Sequence, residues 1–217
     1  MSEASTQSLR VLIADDHAVV RQGLKHILSK TTDLLVVAEA ETGLEVIEKT
    51  QAMDVDVLVM DVEMPEKNGL EVLSELKISH PKLPVVILSI YAEDQFGIRF
   101  LKAGASGYLT KTSAPDQLVE AIRRVAKGGK YVSPNLAERM VLDLGKDSEQ
   151  LPHEYLSDRE FQVFHMIALG KPLKEIAAEL SISTTTVSTH RARLLDKMNM
   201  ETNADLVRYA SQNGLTS

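Results

Sequence analysis

The sequence predicts two folded halves: an α/β half built on a parallel sheet, then an all-α half of four helices. Three observations predict it. Short apolar runs alternate five times with amphipathic stretches before residue 128. A polar stretch around residue 147 breaks that alternation. From residue 157 onward every periodic segment has helical spacing. Strand and helix taking turns means βαβ units, and hence a parallel sheet.

The elements follow in order. "RVLIA" (10–14), "LLVVAEA" (34–40), "VDVLVMD" (55–61), "PVVILSI" (84–90) and "SGYLTK" (106–111) are the expected strands. Their near-continuous Val, Ile and Leu content is that of strands buried on both faces. Helices are expected at about 17–30, 43–52, 68–79, 93–104 and 114–127. Ser113 is positioned to N-cap the fifth, with Pro115 in its first turn. A short helix is expected at about 135–144, followed by the linker "GKDSEQLPHE". Ser157 and Glu160 form a capping box that opens the next helix, which closes at Gly170. "PLKEIAAEL", the turn "SIS", "TTTVSTHRARLLDKMN" and "ADLVRYASQNG" complete the all-α half.

Composition narrows the class. The chain has 217 residues, 44% of them hydrophobic, which suits two ordinary domains with real cores. It has no cysteine, which excludes disulfides, thiolate metal sites and a Cys nucleophile. No apolar stretch is long enough to span a bilayer, and "MSEASTQSLR" lacks the apolar core of a signal peptide. The expectation is a soluble cytoplasmic protein with no membrane partner. The net charge of -7 is uneven. After residue 150 there are 7 basic and 8 acidic side chains, so the acidity sits in the first half. A near-neutral second half can still carry a basic face.

In a parallel sheet every strand delivers its C-terminal end to one rim, where open sheets bind ligands. The first strand here leads to Asp15 and Asp16, the third to Asp61, the fourth to Ser89 and the fifth to Lys111. Each has an ordinary reading when taken alone: an acidic pair that caps a helix begun at Asp16 or His17, a strand-end hydroxyl, a solvated lysine. Glu63 alone reads as solvated. Together they read as a site, because a carboxylate at the edge of a core is costly unless something pairs with it. Asp61 is therefore expected to pair with a metal and with Lys111. Carboxylates and water suit Mg2+. A cation and a lysine beside an acceptor oxygen are what phosphoryl transfer needs, and a carboxylate can itself be the acceptor.

"LIADDHAVVRQGL", "VLVMDVEMPEKNGLEVL", "VVILSI" and "GASGYLTK" together resemble the receiver domain of two-component response regulators, over about residues 8–128. The resemblance implies a flavodoxin-like fold with strand order 2-1-3-4-5 and Asp61 as the phospho-acceptor. It implies direct Mg2+ ligation by Asp16, Asp61 and the Glu63 carbonyl, with Asp15 acting through water. Lys111 and Ser89 would contact the phosphoryl group, and Tyr108 would change rotamer with it. Thr112 departs from the proline that many receivers carry after the lysine.

In the second half, two short helices joined by a tight turn make a helix-turn-helix. Leu173, Ile176, Ala177 and Leu180 supply the core face of the first, and Val187, Leu194, Leu195 and Met198 that of the second. The other face of the second shows Thr185, Thr186, Ser188, Thr189, Arg191 and Ala192, with Arg193 alongside, which suits a major groove. His190 reads as a surface or backbone-contacting residue. Lys171 and Lys174 are candidate phosphate contacts. The segment from Leu156 is similar to the LuxR-type DNA-binding domain that follows the receiver in the NarL/FixJ family, with Glu160, Gly170, Ile176, Val187 and Lys197 at framework positions. Ser188 and "KPLKEIA" depart from the usual pattern where DNA is read.

The expected organisation is a receiver at 1–128, a linker with a short helix at 129–152 and a DNA-binding domain at 153–217. The expected function is a response regulator. Phosphorylation at Asp61 would switch homodimerisation, through helices 93–104 and 114–127 and the last helix, and binding to a two-fold-related operator. A histidine kinase or phosphotransfer protein would supply the phosphoryl group, and RNA polymerase is a further candidate partner. Beyond its own phosphorylation and autodephosphorylation the chain is not expected to be an enzyme. Two alternatives stay open at this point: a Mg2+-dependent aspartyl-phosphate phosphotransferase or hydrolase, and a phosphorylation-switched protein adaptor.

Overall fold

The computed structural model describes residues 8–91, 93–144, 151–180 and 182–216. The chain divides into two compact units, Met1–Gly145 and Lys146–Ser217. Residues 145–150, where the sequence places the boundary, lie outside the described residues, as does Ser181 of the expected turn.

The first unit alternates β1 (Leu9–Ala14), α1 (Ala18–Leu28), β2 (Leu34–Ala40), α2 (Gly43–Ala52), β3 (Val57–Asp61), α3 (Gly69–Ser79), β4 (Val85–Ser89), α4 (Glu93–Lys102), β5 (Gly107–Thr110) and α5 (Ala114–Ala126). All pairings are parallel, in the order β2-β1-β3-β4-β5. Every residue of β3 and β4 is buried, which is why those strands read as unbroken apolar runs. Alternate side chains of the strands face opposite layers. Val11, Ile13, Val59, Val86 and Leu88 form one core with α1 and α5, through Leu24, Leu118 and Ile122. Leu12, Leu58, Met60 and Ile87 fall on the other face, and α2, α3 and α4 bring Val46, Leu73 and Phe96 to the interior.

The loop between β3 and α3 depends on close backbone approach. A Cβ on Gly69 would lie 2.7 Å from the Asp61 carbonyl oxygen and 2.9 Å from the Val62 Cα. Gly69 also donates its N–H to the Val62 carbonyl at 2.8 Å, so α3 starts directly against the strand end that carries Asp61. Between them Glu66 takes the left-handed conformation, with φ 67°. That region is costly for a residue with a Cβ.

One helix cap differs from expectation. Ser113 stands at the head of α5, but its hydroxyl caps nothing. Its backbone is already helical, with φ -86° and ψ -17°, whereas a capping side chain needs an extended residue. The hydroxyl donates instead to the Thr110 carbonyl at 3.1 Å.

Beyond α5 the chain returns to the sheet. Tyr131 forms a parallel bridge with Gly107. Helix α6 (Pro134–Leu144) packs on α4, with Leu136 fully buried over Gly97.

The second unit holds a short 3-10 turn at Pro152–Tyr155 and then α7 (Asp158–Ala168), α8 (Leu173–Glu179), α9 (Thr184–Met198) and α10 (Asn203–Gln212). Ser157 and Glu160 form a reciprocal capping box at α7, and Ser183 caps α9 through the Thr186 N–H. Asn199, with φ 52°, ends α9 in the left-handed conformation. Helices α8 and α10 pack against α9 and α7 respectively, over Phe164, Ile176, Val187, Leu194 and Leu206, all fully buried. Leu173, expected in that core, is only half-buried. Among the described residues no helix is long and apolar enough to cross a membrane.

Candidate phosphoryl-transfer site and nucleic-acid interface

The parallel register brings the ends of β1, β3, β4 and β5 to one rim. Asp15 is fully buried just past β1, and Asp61 closes β3 at 3% exposure. Lys111 reaches across: its Nζ lies 2.6 Å from Asp61 Oδ2 and 2.8 Å from Asp15 Oδ2. Its backbone is pinned as well, with the Lys111 N–H donating to the Ser89 carbonyl at 2.7 Å. Asp61 Oδ1 accepts from the Glu63 N–H at 3.3 Å. Burial pushes the Asp61 carboxyl up to about 7, against the pull of Lys111. Burial alone would lower the Lys111 ammonium, but Asp61 and Asp15 beside it hold it above the ordinary lysine value.

Ligand atoms of Asp15, Asp16, His17 and Asp61 all lie within 4.8 Å of one another. Asp15 Oδ1 accepts from the His17 N–H at 2.8 Å. Asp15 Oδ2 is buried, with the Lys111 ammonium 2.8 Å away. One ammonium among Asp15, Asp16 and Asp61 leaves the cluster net negative, which a bound cation would offset. The donors are mainly carboxylate oxygens, the set that suits Mg2+, so the cluster fits that ion. His17 was expected only as a helix start. It does precede α1, but its Nδ1 also lies 2.6 Å from Asp16 Oδ1. Its position directly after the acidic pair was the available signal.

The rim continues through a residue that the sequence did not single out. The Tyr91 hydroxyl donates to Glu63 Oε1 at 2.9 Å, so the Glu63 side chain is tied down rather than solvated. The Tyr91 N–H donates to Ser89 Oγ at 3.1 Å, and its carbonyl accepts from the Tyr108 hydroxyl at 3.0 Å. Its ring stacks on Phe96 of α4 at 4.5 Å. Tyr108 is buried, with its ring turned inward beside Phe100. One tyrosine thus touches the loop after Asp61, the β4 hydroxyl, the β5 aromatic and α4.

In the second unit, Thr185, Thr186, Ser188, Thr189, Ala192 and Arg193 stand exposed on α9. The Ser188 and Thr189 hydroxyls donate back along the helix to the Thr184 and Thr185 carbonyls, at 2.9 and 3.0 Å. Arg191 is half-buried, and its Nε donates to Asn203 Oδ1 at the start of α10 at 2.5 Å. His190 is turned partly inward, with Nδ1 buried and unpartnered. Burial, then Arg159 and Arg193, keep its pKa below the usual histidine value despite Glu160 nearby. Lys171 pairs with Glu179 across α8, and Lys174 is exposed.

Comparison with known proteins agrees with this geometry. Residues 11–123 match the response regulator receiver domain, and residues 154–210 match the luxR family of bacterial regulatory proteins. The chain is 38% identical over 207 residues to the response regulator GacA of Pseudomonas protegens, covering 95% of this chain and 97% of that one. It is 34% identical over 208 residues to the response regulator UvrY of Escherichia coli, covering 95% of each. It also resembles the structure of RcsB from Salmonella enterica serovar Typhimurium bound to promoter rprA in the presence of the phosphomimetic BeF3-. There the TM-score is 0.63 at 25% identity, over 94% of this chain and 99% of that one. The acidic rim with its lysine, the helix-turn-helix later in the chain and these relatives agree that the chain belongs to the two-component response regulators of the NarL/FixJ family, a receiver followed by a LuxR-type domain.

Proposed function

We propose that Asp61 is the phospho-acceptor, and that its phosphorylation drives homodimerisation and sequence-specific DNA binding to regulate transcription. The observation that carries this is the Lys111 ammonium held between Asp61 and Asp15 at the sheet rim. An Asp61 carboxylate oxygen attacks phosphorus on a phosphohistidine of a kinase or phosphotransfer protein. A P–O bond forms, the P–N bond breaks and the imidazole leaves. Asp16, Asp61 and the Glu63 carbonyl would hold Mg2+, with Asp15 through water. The ion would supply the positive charge that offsets the phosphoryl oxygens. Lys111 would turn from the carboxylates to a phosphoryl oxygen, and the Ser89 hydroxyl would donate to another. Because Ser89 and Tyr108 both bond Tyr91, a change at Asp61 would be passed to α4 by Tyr91.

On the DNA side α9 would enter the major groove of a two-fold-related operator, as a dimer. Ser188, Thr189 and Ala192 are small enough to approach base edges. Arg193, exposed and on the neighbouring face, would contact phosphate, as would Lys174 and, once freed from Glu179, Lys171. RcsB supports the reading, since its structure is of a protein bound to promoter DNA in a phosphomimetic state. The receiver motifs lie in 1–128 and the DNA-binding domain in 153–217; the stretch 129–152 joins them in sequence, and its Tyr131 and α6 pack on the first unit.

Intact-mass spectrometry after incubation with a small phosphodonor and Mg2+ tests the acceptor. One phosphoryl group should add to the wild type and none to Asp61→Asn. Equal incorporation in both would overturn the assignment. Binding titrations with and without BeF3- test the output. Replacing Ser188, Thr189, Arg191 and Arg193 together by alanine should abolish specific binding.

A further inference from the structure

We infer that Arg21 of α1 is a positioning residue for the cation site, because it clamps the backbone of Asp15. Arg21 is 7% exposed, an unusual burial for an arginine. Its Nη1 donates to the Asp15 carbonyl at 2.8 Å. Nη2 donates to Glu41 Oε1, and Nε reaches Glu39 Oε2 at 3.4 Å. Lys25, one turn further along α1, donates to Glu39 Oε1 at 2.6 Å. On its other side the Asp15 N–H donates to the Ala40 carbonyl at 3.1 Å. The peptides on both sides of Asp15 are therefore fixed, one by β2 and one by the guanidinium.

The site needs such a clamp. Asp15, Asp16 and Asp61 crowd like charges at one rim, and repulsion would splay the turn that carries the first two. Within that turn the His17 N–H donates to Asp15 Oδ1 at 2.8 Å, a bond to the side chain that leaves the Asp15 carbonyl to Arg21. His17 heads α1 without a side-chain cap, and Asp16 lies in solvent apart from His17. An arginine fits because its planar fork serves a carbonyl and two carboxylates in three fixed directions, which an ammonium cannot do. Glu39 and Glu41 orient and neutralise the guanidinium, so the clamp adds no unpaired buried charge.

The inference rests on Asp15 and Asp16 as cation ligands, and the sign of the effect separates positioning from charge. If Arg21 were only a nearby positive charge, removing it would tighten Mg2+ binding. If it holds the ligands in place, removing it loosens binding. The test is calorimetric titration of Mg2+ into the full-length unphosphorylated chain, with folding followed separately by circular dichroism. Arg21→Met should weaken Mg2+ about tenfold, the scale seen when a group that orients a metal ligand is lost. Phosphorylation by a small phosphodonor should recover at saturating Mg2+. Glu41→Gln keeps the carbonyl bond and an oxygen for Nη2, and should weaken Mg2+ far less than Arg21→Met does. Arg21→Lys preserves the charge and should still weaken binding; it carries the test alone if Arg21→Met fails to fold. Unchanged or tighter binding in a folded Arg21 variant would overturn the inference, as would a loss in Glu41→Gln equal to that in Arg21→Met. Asp16→Ala is the separate control: intact Mg2+ binding there would overturn the ligand reading itself, whatever Arg21 does.

Discussion

At the receiver rim Asp15, Asp61 and Ser89 are each no more than 3% exposed, and every one is held by a neighbour. On α9 the outward residues Thr185, Thr186, Ser188 and Thr189 all stand in solvent, and the hydroxyls of the last three bond back to their own turn or cap. The first region is arranged before its ligand arrives. The second presents small side chains whose final partners are set by the molecule they meet. Chemistry on a phosphoryl group is mostly positioning, so it rewards rigidity. Reading many base steps along a groove rewards a surface that adapts, with water filling the gaps.

Six substitutions break or sharpen that contrast. Gly69→Ala should hurt most, because its Cβ would strike the backbone of Asp61 and Val62, which cannot swing aside. We expect a loss of about 3 kcal/mol in urea unfolding of the first unit, with the transition of the second unchanged. Asp61→Asn should act in the opposite direction. In EDTA at pH 8 the wild type must hold Asp61 ionised beside Asp15, although burial pushes its carboxyl up to about 7. A raised carboxyl favours the folded state at low pH and loses that contribution as pH rises through 7. The variant should therefore gain on the order of 2 kcal/mol at pH 8 and progressively less toward pH 5, read by thermal melts.

Effects on α9 should be smaller and of a different kind. Thr189→Ala should change the preference among operator variants by about 1–2 kcal/mol at one base pair. Arg193→Ala should weaken all duplexes alike and lower the salt slope by about one unit. A uniform loss in both would show that α9 positions without reading. In the second unit, Glu160 is buried and pairs with Lys197 at 2.6 Å. Burial works against its ionisation, but Lys197 and Ser157 prevail and hold its pKa below the usual glutamate value. A lowered carboxyl stabilises above its unfolded pKa and loses that as pH falls. Glu160→Gln should thus cost about 1 kcal/mol at pH 7, discounted for the exposure of Lys197, and nothing near pH 3. Smallest of all, Glu66→Gly relieves a left-handed residue and should stabilise the first unit by at most about 1 kcal/mol.

The same contrast governs how much the sequence could tell. Strands such as "VLVMD" were legible because burial on both faces leaves a continuous apolar run, and strand ends then place Asp61, Ser89 and Lys111 at one rim without any tertiary detail. What escaped depends on side chains that reach across elements. Nothing in the local pattern says that Tyr91 will hydrogen-bond Glu63, 28 positions away, or that Arg21 will turn inward to Asp15 rather than outward to water. Ser113 misled for a related reason: its type suits a cap, but the backbone at that point is already helical. On α9 the side-chain types are readable and their roles are not, because the proposed roles depend on a partner outside the chain.

A five-stranded sheet has two outer edges, and in this chain one of them is finished by a residue from beyond α5. Tyr131 donates its N–H to the Ser106 carbonyl at 2.9 Å and accepts from the Tyr108 N–H at 3.3 Å. During synthesis all five strands leave the ribosome before that residue does, so the nascent domain passes through an interval in which the outer edge of β5 lacks Tyr131. A receiver cut at Gly128 would make that interval permanent. It would keep every rim carboxylate and the lysine, yet expose a bare strand edge of the kind that templates aggregation. The outer edge of the phosphorylation module is thus partly covered by a short segment that takes no part in its chemistry.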